Sequence, residues 1–403
     1  MSYIEKLLQG AEVDWKPLGE VATLEKGKQL NKSLLTESGR YPAYNGGITY
    51  SGFTDRYNYS ENKTIISQGG ASAGFVNFIT TKFYANAHCY VVLPNISRVN
   101  NKYVYHLLKM NQENLMSKQL GAGIPALHTT NILGISIPIP CPDNPTKSLE
   151  IQRKIVEILD KFTTLEAELE AELDCRKRQY EYYRNQLLSF DMLNRGGQRL
   201  NNVTIMSLGE LGTFTRGGGL QKKDFTLSGV GCIHYGQIYT YYGTYAKRTK
   251  SNVSQEFAQK ARKAKNGDLI IATTSENDED VCKAVAWLGD EEIAVSSDAC
   301  FYAHTMNPKY VAYYFQTEQF QKQKRCFITG TKVRRVNSND LAKIKIPVPP
   351  LAEQERIASI LDKFDTLTNS ISEGLPKEIE LRRKQYEYYR NQLLSFPEHK
   401  ATA

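Results

Sequence analysis

Between residues 151 and 190, apolar side chains recur at steps of three and four: Ile151, Ile155, Ile158, Leu159, Phe162, Leu165, Leu169, Leu173, Tyr180, Tyr183 and Leu187. That spacing draws one stripe along an α-helix, and forty residues rising 1.5 Å each span about 60 Å. A second stripe in 351–396 includes Ile357, Ile360, Leu361, Phe364, Leu367, Ile371, Ile379, Tyr386, Tyr389 and Leu393. A helix of this length draws its stability from packing its apolar face. The two stripes are therefore predicted to pair, through Ile155, Leu159, Phe162, Leu165, Leu169 and Leu173 on one side and Ile357, Leu361, Phe364 and Leu367 on the other. Elsewhere the apolar runs are short and bounded by turn residues: Thr64-Ile-Ile-Ser67, Tyr90-Val-Val-Leu93 and Asp268-Leu-Ile-Ile-Ala272. These read as strands, with helices over 102–110 and 308–315.

The chain is a tandem repeat. Gln179-Tyr-Glu-Tyr-Tyr-Arg-Asn-Gln-Leu-Leu-Ser-Phe190 recurs unchanged at 385–396, and Ile158-Leu-Asp-Lys-Phe162 recurs at 360–364. Leu18-Gly-Glu20 returns as Leu208-Gly-Glu210, and Ile135-Ser-Ile-Pro-Ile-Pro140 as Ile344-Lys-Ile-Pro-Val-Pro349. The markers keep their order, while the sequence between them differs greatly. The expected organisation is α+β: mixed α/β modules at 1–150 and 201–350, helices at 151–190 and 351–396, a linker at 191–200 and a tail at 397–403.

The copies differ in helix length. Phe162 to Arg176 is 14 residues, whereas Phe364 to Arg382 is 18. The four extra residues act as a stutter and fall near Gly374 and Pro376, which are predicted to break or kink the helix. The first copy carries Glu166-Ala-Glu-Leu169 and Glu170-Ala-Glu-Leu173 in tandem. Removing one unit shortens a helix by about 6 Å and leaves the stripe nearly in phase.

Composition narrows the function. With 41% hydrophobic and 23% charged residues, the chain is an ordinary globular protein. The first ten residues hold no apolar signal region and no run of 18 apolar residues occurs, so secretion and membrane spanning are not expected. Seven cysteines without a C-x-x-C pair read as reduced thiols of a cytoplasmic protein. The net charge of +8 is uneven: +3 in 1–150, zero in 151–200, +6 in 201–350 and −1 in 351–403. The positive excess lies in the modules, which suits a polyanion partner.

Within the modules, basic residues alternate with aromatics on glycine-rich loops. Candidate DNA contacts are Lys26, Lys28, Arg40, Tyr44, Asn45 and Arg56 in the first. In the second they are Arg216, Lys222, Lys223, His234, Tyr235, Gln237, Lys247, Arg248, Lys332, Arg334 and Arg335. Arg, Lys, Asn and Gln read base edges, while Lys, Arg and backbone amides hold phosphates. Any one of these cations is as well explained as a solvated charge; the clustering in both copies is what points to nucleic acid.

No catalytic or metal site is expected. A phosphate-binding G-x-x-x-x-G-K-[ST] loop is absent, Gly121-Ala-Gly123 lacks the dinucleotide fingerprint, and no H-E-x-x-H occurs. His88, His128 and His304 read as structural or surface histidines. The acidic run Glu276-Asn-Asp-Glu-Asp280 lacks EF-hand spacing and reads as a solvated loop. Pro142-Asp143 finds no completion into a nuclease motif beyond Glu398-His-Lys400 in the tail.

These features together resemble the specificity subunit of Type I restriction–modification systems. The likeness rests on the module–helix–module–helix order, the Leu-Gly-Glu start with its basic glycine turn and the Ile-Pro-x-Pro exit. It rests also on the Gln-x-x-Ile-x-x-Ile-Leu-Asp-Lys-Phe helix opening and the Arg-Asn-Gln-Leu-Leu-Ser-Phe close. The tandem Glu-Ala-Glu-Leu is similar to the spacer repeat of one subfamily. The resemblance implies target-recognition domains that each read half of a split site on double-stranded DNA, and spacer helices paired as an antiparallel coiled coil. It implies two methyltransferase subunits and two restriction/translocase subunits as partners. S-adenosylmethionine, ATP and Mg²⁺ would be held by those partners, with no cofactor on this chain. Without the resemblance, a stand-alone DNA-binding adaptor or regulator stays open, as does an enzyme with an unrecognised site.

Overall fold

In a computed structural model, residues 3–119, 125–195 and 203–396 are described; Gly121-Ala-Gly123, the second half of the linker and the tail fall outside them. The chain divides into two compact units. The first joins residues 1–170 to 378–403, and the second comprises 171–377. The division falls just inside the second Glu-Ala-Glu-Leu repeat, after Glu170, so each unit contains one module, the opening of its own helix and the closing turns of the other copy's helix. The expected α+β architecture of two mixed modules and two long paired helices is what the chain adopts.

In the first unit, Ala22–Lys26, Cys89–Pro94, Lys63–Ser67 and Val76–Ile79 form a four-stranded antiparallel sheet. A second sheet orders Gly52–Thr54, Tyr41–Tyr44 and Tyr84–Ala85. In the second unit, one five-stranded sheet orders Gly212–Arg216, Ala299–His304, Leu269–Ala272, Ala284–Trp287 and Tyr245–Ala246. The other orders Phe225–Thr226, Ser251–Val253, Val230–Ile233, Ile293–Val295 and Lys263–Ala264. The continuous apolar run 269–272 is buried on both faces, as such runs predict.

The recurring sequence markers turn out to touch one another. Val13–Pro17 pairs antiparallel with Ser136–Pro140, and Thr204–Ser207 with Lys345–Val348. Prolines are tolerated in these ribbons because each strand has a free edge. The Leu18 amide donates to the Ile135 carbonyl at 2.8 Å and the Leu208 amide to Ile344 at 2.9 Å. Each module is thus closed where its first strand meets its last, and the helix leaves from that closure.

The central helix, Pro145–Leu187, is continuous over 43 residues and starts ahead of its apolar stripe. The distal helix is not continuous: Leu351–Asn369 ends, and Leu375–Leu394 begins after a short break. Gly374 sits at φ +82°, and a Cβ there would lie 2.4 Å from the Thr366 carbonyl oxygen. Only glycine suits that conformation and approach; Pro376 occupies the first turn of the second piece, where its missing N–H costs nothing. Ile371, expected in the stripe, falls in the break and is exposed. The pairing residues also divide. Ile155, Leu159, Ile357 and Leu361 are fully buried, within the modules' own cores. Phe162, Leu165, Leu169, Leu173, Phe364 and Leu367 are half-buried.

Candidate nucleic-acid interface

Two kinds of surface are built on this frame: loops on the modules, and the attachment of each module to the helices. The basic glycine turn begins where the first sheet strand ends. Gly27 donates to the Cys89 carbonyl at 2.9 Å and Gly217 to Ala299 at 3.0 Å. A Cβ would meet the Asn86 carbonyl oxygen at 2.2 Å in the first and Ser296 at 2.1 Å in the second. Glycine is required at both positions by the close approach of the neighbouring backbone. Buried Asn86 completes the first turn, accepting from the Leu30 amide at 3.1 Å and donating to the Leu30 carbonyl at 3.3 Å. Nothing in its local sequence marks that role, because its partner lies 56 residues away.

The turns present cations. Lys26, Lys28, Arg40 and Arg56 are exposed, with Asn45 exposed beside them, and none of the four cations has an ion-pair partner among the described residues. Tyr44 is half-buried with its ring edge-on to Phe83, so it supports the sheet more than it offers a free ring. Tyr57, next to Arg56 in sequence, packs on Tyr41 at 5.0 Å and carries the Lys82 ammonium 4.9 Å above its ring.

In the second module Lys222, Lys223, Lys247, Arg248, Lys332 and Arg335 are exposed and likewise unpaired among the described residues. Arg216 and Arg335, far apart in sequence, line one cleft of about 430 Å³ together with Thr273, Asn337 and Asp298. Arg216 also donates through Nε to the Ser297 carbonyl. Arg334 is half-buried and engaged within the module: its guanidinium pairs with Asp278 at 2.8 Å. The acidic run is thereby braced, and buried Lys324 donates to the Glu279 and Val281 carbonyls behind it. His234 and Gln237 are also engaged. The His234 Nδ1 accepts from the Gly236 amide, and Gln237 reaches back to the His234 amide and on to Ser251. This is a helix cap, with reciprocal bonding of orphan donors, and burial pushes the His234 imidazole below its ordinary value. Tyr235 packs at a tilt against His234, half-buried.

Each module meets the helices through the same polar dock. In the first unit Asp160 accepts from Lys102 at 2.6 Å and from His106 Nε2 at 3.1 Å, while His106 Nδ1 faces the Tyr386 hydroxyl at 2.9 Å. In the second, Asp362 accepts from Lys309 at 2.6 Å and from the Tyr313 hydroxyl at 2.7 Å. Gln152 and Gln354 each accept the amide of the helix-capping asparagine, Asn100 and Asn307, at 2.7 and 2.8 Å. The repeated Gln-x-x-Ile-x-x-Ile-Leu-Asp motif is therefore the face that grips a module. Closing turns of the other copy's helix complete each dock: Phe162 stacks on Tyr389, and Phe364 on Tyr180 and Tyr183. Arg383 bridges Glu166 and Glu170, the leading glutamates of the two tandem repeats.

His106 makes the first dock sensitive to acid. Burial holds its imidazole below the ordinary value, with the Asp160 hydrogen bond opposing. Burial pushes the Asp160 carboxyl up, but hydrogen bonds from His106 and Lys102 outweigh it and leave the carboxyl below the usual range. The unfolded chain thus binds a proton at 106 more readily, and the stability this site contributes is lost as pH falls below about 6.5. His106→Gln retains one donor and one acceptor at this position and removes the titration. Urea denaturation between about pH 5 and 7.5 should show a flatter pH dependence for this variant; an unaltered slope would discount His106.

No helix among the described residues is long and apolar enough to cross a membrane. A family model described as the Type I restriction modification DNA specificity domain matches residues 12–174 and again 201–381. The chain is 36% identical over 415 residues to the specificity subunit of the Type I restriction enzymes EcoR124I/EcoR124II of Escherichia coli, with 98% of both chains covered. It is 33% identical over 422 residues to a putative Type I restriction enzyme specificity subunit of Haemophilus influenzae, again over 98% of both. A crystal structure of a Type I system S subunit from M. genitalium shares the fold with TM-score 0.59 at 17% identity, over 96% of this chain and 98% of that one. A second solved chain, from a study of complex assembly in the Type I system, gives TM-score 0.58 at 13% identity over 95% and 97%.

Proposed function

Because the chain belongs to the family of Type I restriction–modification specificity subunits, we propose that each module reads one half of a split, asymmetric DNA site and that the helices set the unread gap. Family membership decides between the open readings: the chain is the sequence-specific DNA-binding, non-catalytic subunit of a complex with methyltransferase and restriction subunits. The observation that carries the two-reader proposal is the duplicated dock, in which Asp160 and Asp362 hold the same lysine geometry around modules whose loops differ. One frame built twice with different filling suits two readers of unlike half-sites. The exposed cations Lys26, Lys28, Arg40, Arg56, Lys222, Lys223, Lys247, Arg248, Lys332 and Arg335 are assigned to DNA, with Arg216 beside them.

The helices are assigned to the partners. The identical dodecamers expose the same three side chains, Glu181, Tyr182 and Tyr183 in one copy and Glu387, Tyr388 and Tyr389 in the other: Tyr182 is 59% and Tyr388 61% exposed. Identical surfaces retained beside divergent modules favour two copies of one partner, hence two methyltransferase subunits, with two restriction subunits joining them. S-adenosylmethionine, ATP and Mg²⁺ belong to those subunits, and the complex works in the cytoplasm. The tandem Glu-Ala-Glu-Leu is assigned as a spacer.

The test is to map methylated adenines in DNA from cells expressing this chain with its methyltransferase. A split motif that disappears when the chain is omitted is expected, along with a purified complex whose mass gives two methyltransferase subunits per chain. A continuous motif, or methylation that survives omission, would refute the two-reader design.

A further inference from the structure

One turn recurs in both modules with only its tip changed. Leu18 and Leu208, Gly27 and Gly217, Thr36 and Thr226, and Gly39 and Gly229 are all separated by 190 residues, so the copies stay in register through this stretch. A short 3-10 turn, Lys32–Leu34 or Lys222–Asp224, leads into Thr-x-Ser-Gly. The Thr36 hydroxyl donates to the Ser38 carbonyl at 2.8 Å, and Thr226 to Ser228 at 2.8 Å. The closing glycine is sterically required in each: a Cβ would lie 2.8 Å from the Phe53 Cβ at Gly39 and 2.2 Å from the Val253 carbonyl oxygen at Gly229. The backbone is thus fixed while residue x differs, Glu37 in one module and Leu227 in the other.

Both tips face solvent. Leu227 is 104% exposed, fully free of the fold. A leucine so placed adds nothing to the core and keeps its whole apolar surface in water, so its surface is available to a ligand. Its surroundings suit a polyanion that carries apolar groups. Lys222 and Lys223 stand exposed on the preceding turn, and Asn252 donates to the Leu227 carbonyl at 3.4 Å. Lys247 and Arg248 line a depression with Gly229 and Asn252, which Asp290 and Glu291 also border. In the first module, Lys32 and Arg40 flank Glu37, whose carboxylate has no ion-pair partner among the described residues.

We propose that the second residue of this Thr-x-Ser-Gly turn reads a base in each half-site, Leu227 by packing on a thymine methyl group and Glu37 by accepting a hydrogen bond from cytosine N4. The proposal rests on the DNA-reading assignment above. The major groove offers both groups: thymine is marked there by its methyl and cytosine by its amino donor. A shared frame with an exchanged tip is what two readers of different sequences need. The flanking lysines hold the phosphates, which position the turn and carry no sequence information.

The test uses the complex of the full chain with its methyltransferase on its mapped site. Each thymine is replaced in turn by deoxyuridine, which lacks only the 5-methyl group. One replacement should weaken wild-type binding about fourfold, the worth of burying one methyl-sized group, and should not weaken Leu227→Ala binding further. Glu37→Ala should accept other bases at one cytosine position of the opposite half-site. If wild type and Leu227→Ala respond alike at every thymine, or the Glu37→Ala motif is unchanged, the tips do not read bases, although a split wild-type motif would leave the two-reader assignment standing. A continuous wild-type motif would overturn both. Both side chains are exposed, so matching thermal melts are expected for all three proteins.

Discussion

Excising Glu170-Ala-Glu-Leu173 is expected to shorten the unread gap of the methylated motif by about one to two base pairs, since four helical residues rise about 6 Å. The original motif should no longer be methylated. Each wrong base pair costs about 1–3 kcal/mol, roughly additively, and displacing a whole half-site mismatches several at once, so discrimination of well over a thousandfold is expected. The fold should accept the deletion. Four residues turn about 400°, leaving the stripe within roughly 40° of its phase. Arg383 keeps Glu166, and Asp174 takes the place of Glu170 as its second acidic neighbour. The excised segment begins at the last residue of the first unit's leading segment, so neither dock loses a residue to which its aspartate is bonded. Mapping methylated adenines reads the result directly. An unchanged gap in a folded deletion variant would refute the spacer role.

Leu159→Ala and Leu361→Ala should each destabilise the protein by about 2–5 kcal/mol, the usual cost of a cavity at a fully buried leucine. Both side chains are completely buried, Leu159 in the first unit's core and Leu361 in the second's. Against a total stability of about 5–15 kcal/mol for a domain, either loss is large. Half-buried Leu173 at the same helical spacing should cost much less on truncation to alanine. With two compact units, unfolding need not be one cooperative step, so hydrogen exchange resolved by segment is the better measure. Leu159→Ala should accelerate exchange in Asn101–Met110 and leave Pro308–Tyr314 protected; Leu361→Ala should do the reverse. Uniform acceleration across both segments would mean that the units do not unfold separately.

Periodicity found the helices because a stripe repeated over forty residues is a strong signal, and identity found the duplication because twelve unchanged residues leave no alternative. The Gly374 break was legible because a glycine two residues before a proline is a local device. The candidate contacts were less so. Lysines 26, 28, 222, 223 and 247 are exposed as expected, but exposure is the common state of lysine. Arg334, His234 and Gln237 have the chemistry of base readers and are bonded within the module to Asp278, Gly236 and Ser251, partners visible only after folding.

By itself, the sequence determined what local pattern and repetition encode: two copies of one unit, mixed modules carrying the positive charge, striped helices and the tandem Glu-Ala-Glu-Leu. Tertiary structure alone decided which polar side chains were already satisfied and which faced solvent. It brought Asp160 to His106 across 54 residues and His106 to Tyr386 across 280. It set Glu37 and Leu227 at equivalent exposed tips. A hydrogen bond between distant residues leaves no periodic trace in the chain, because each partner's type is ordinary and only the fold fixes the distance between them.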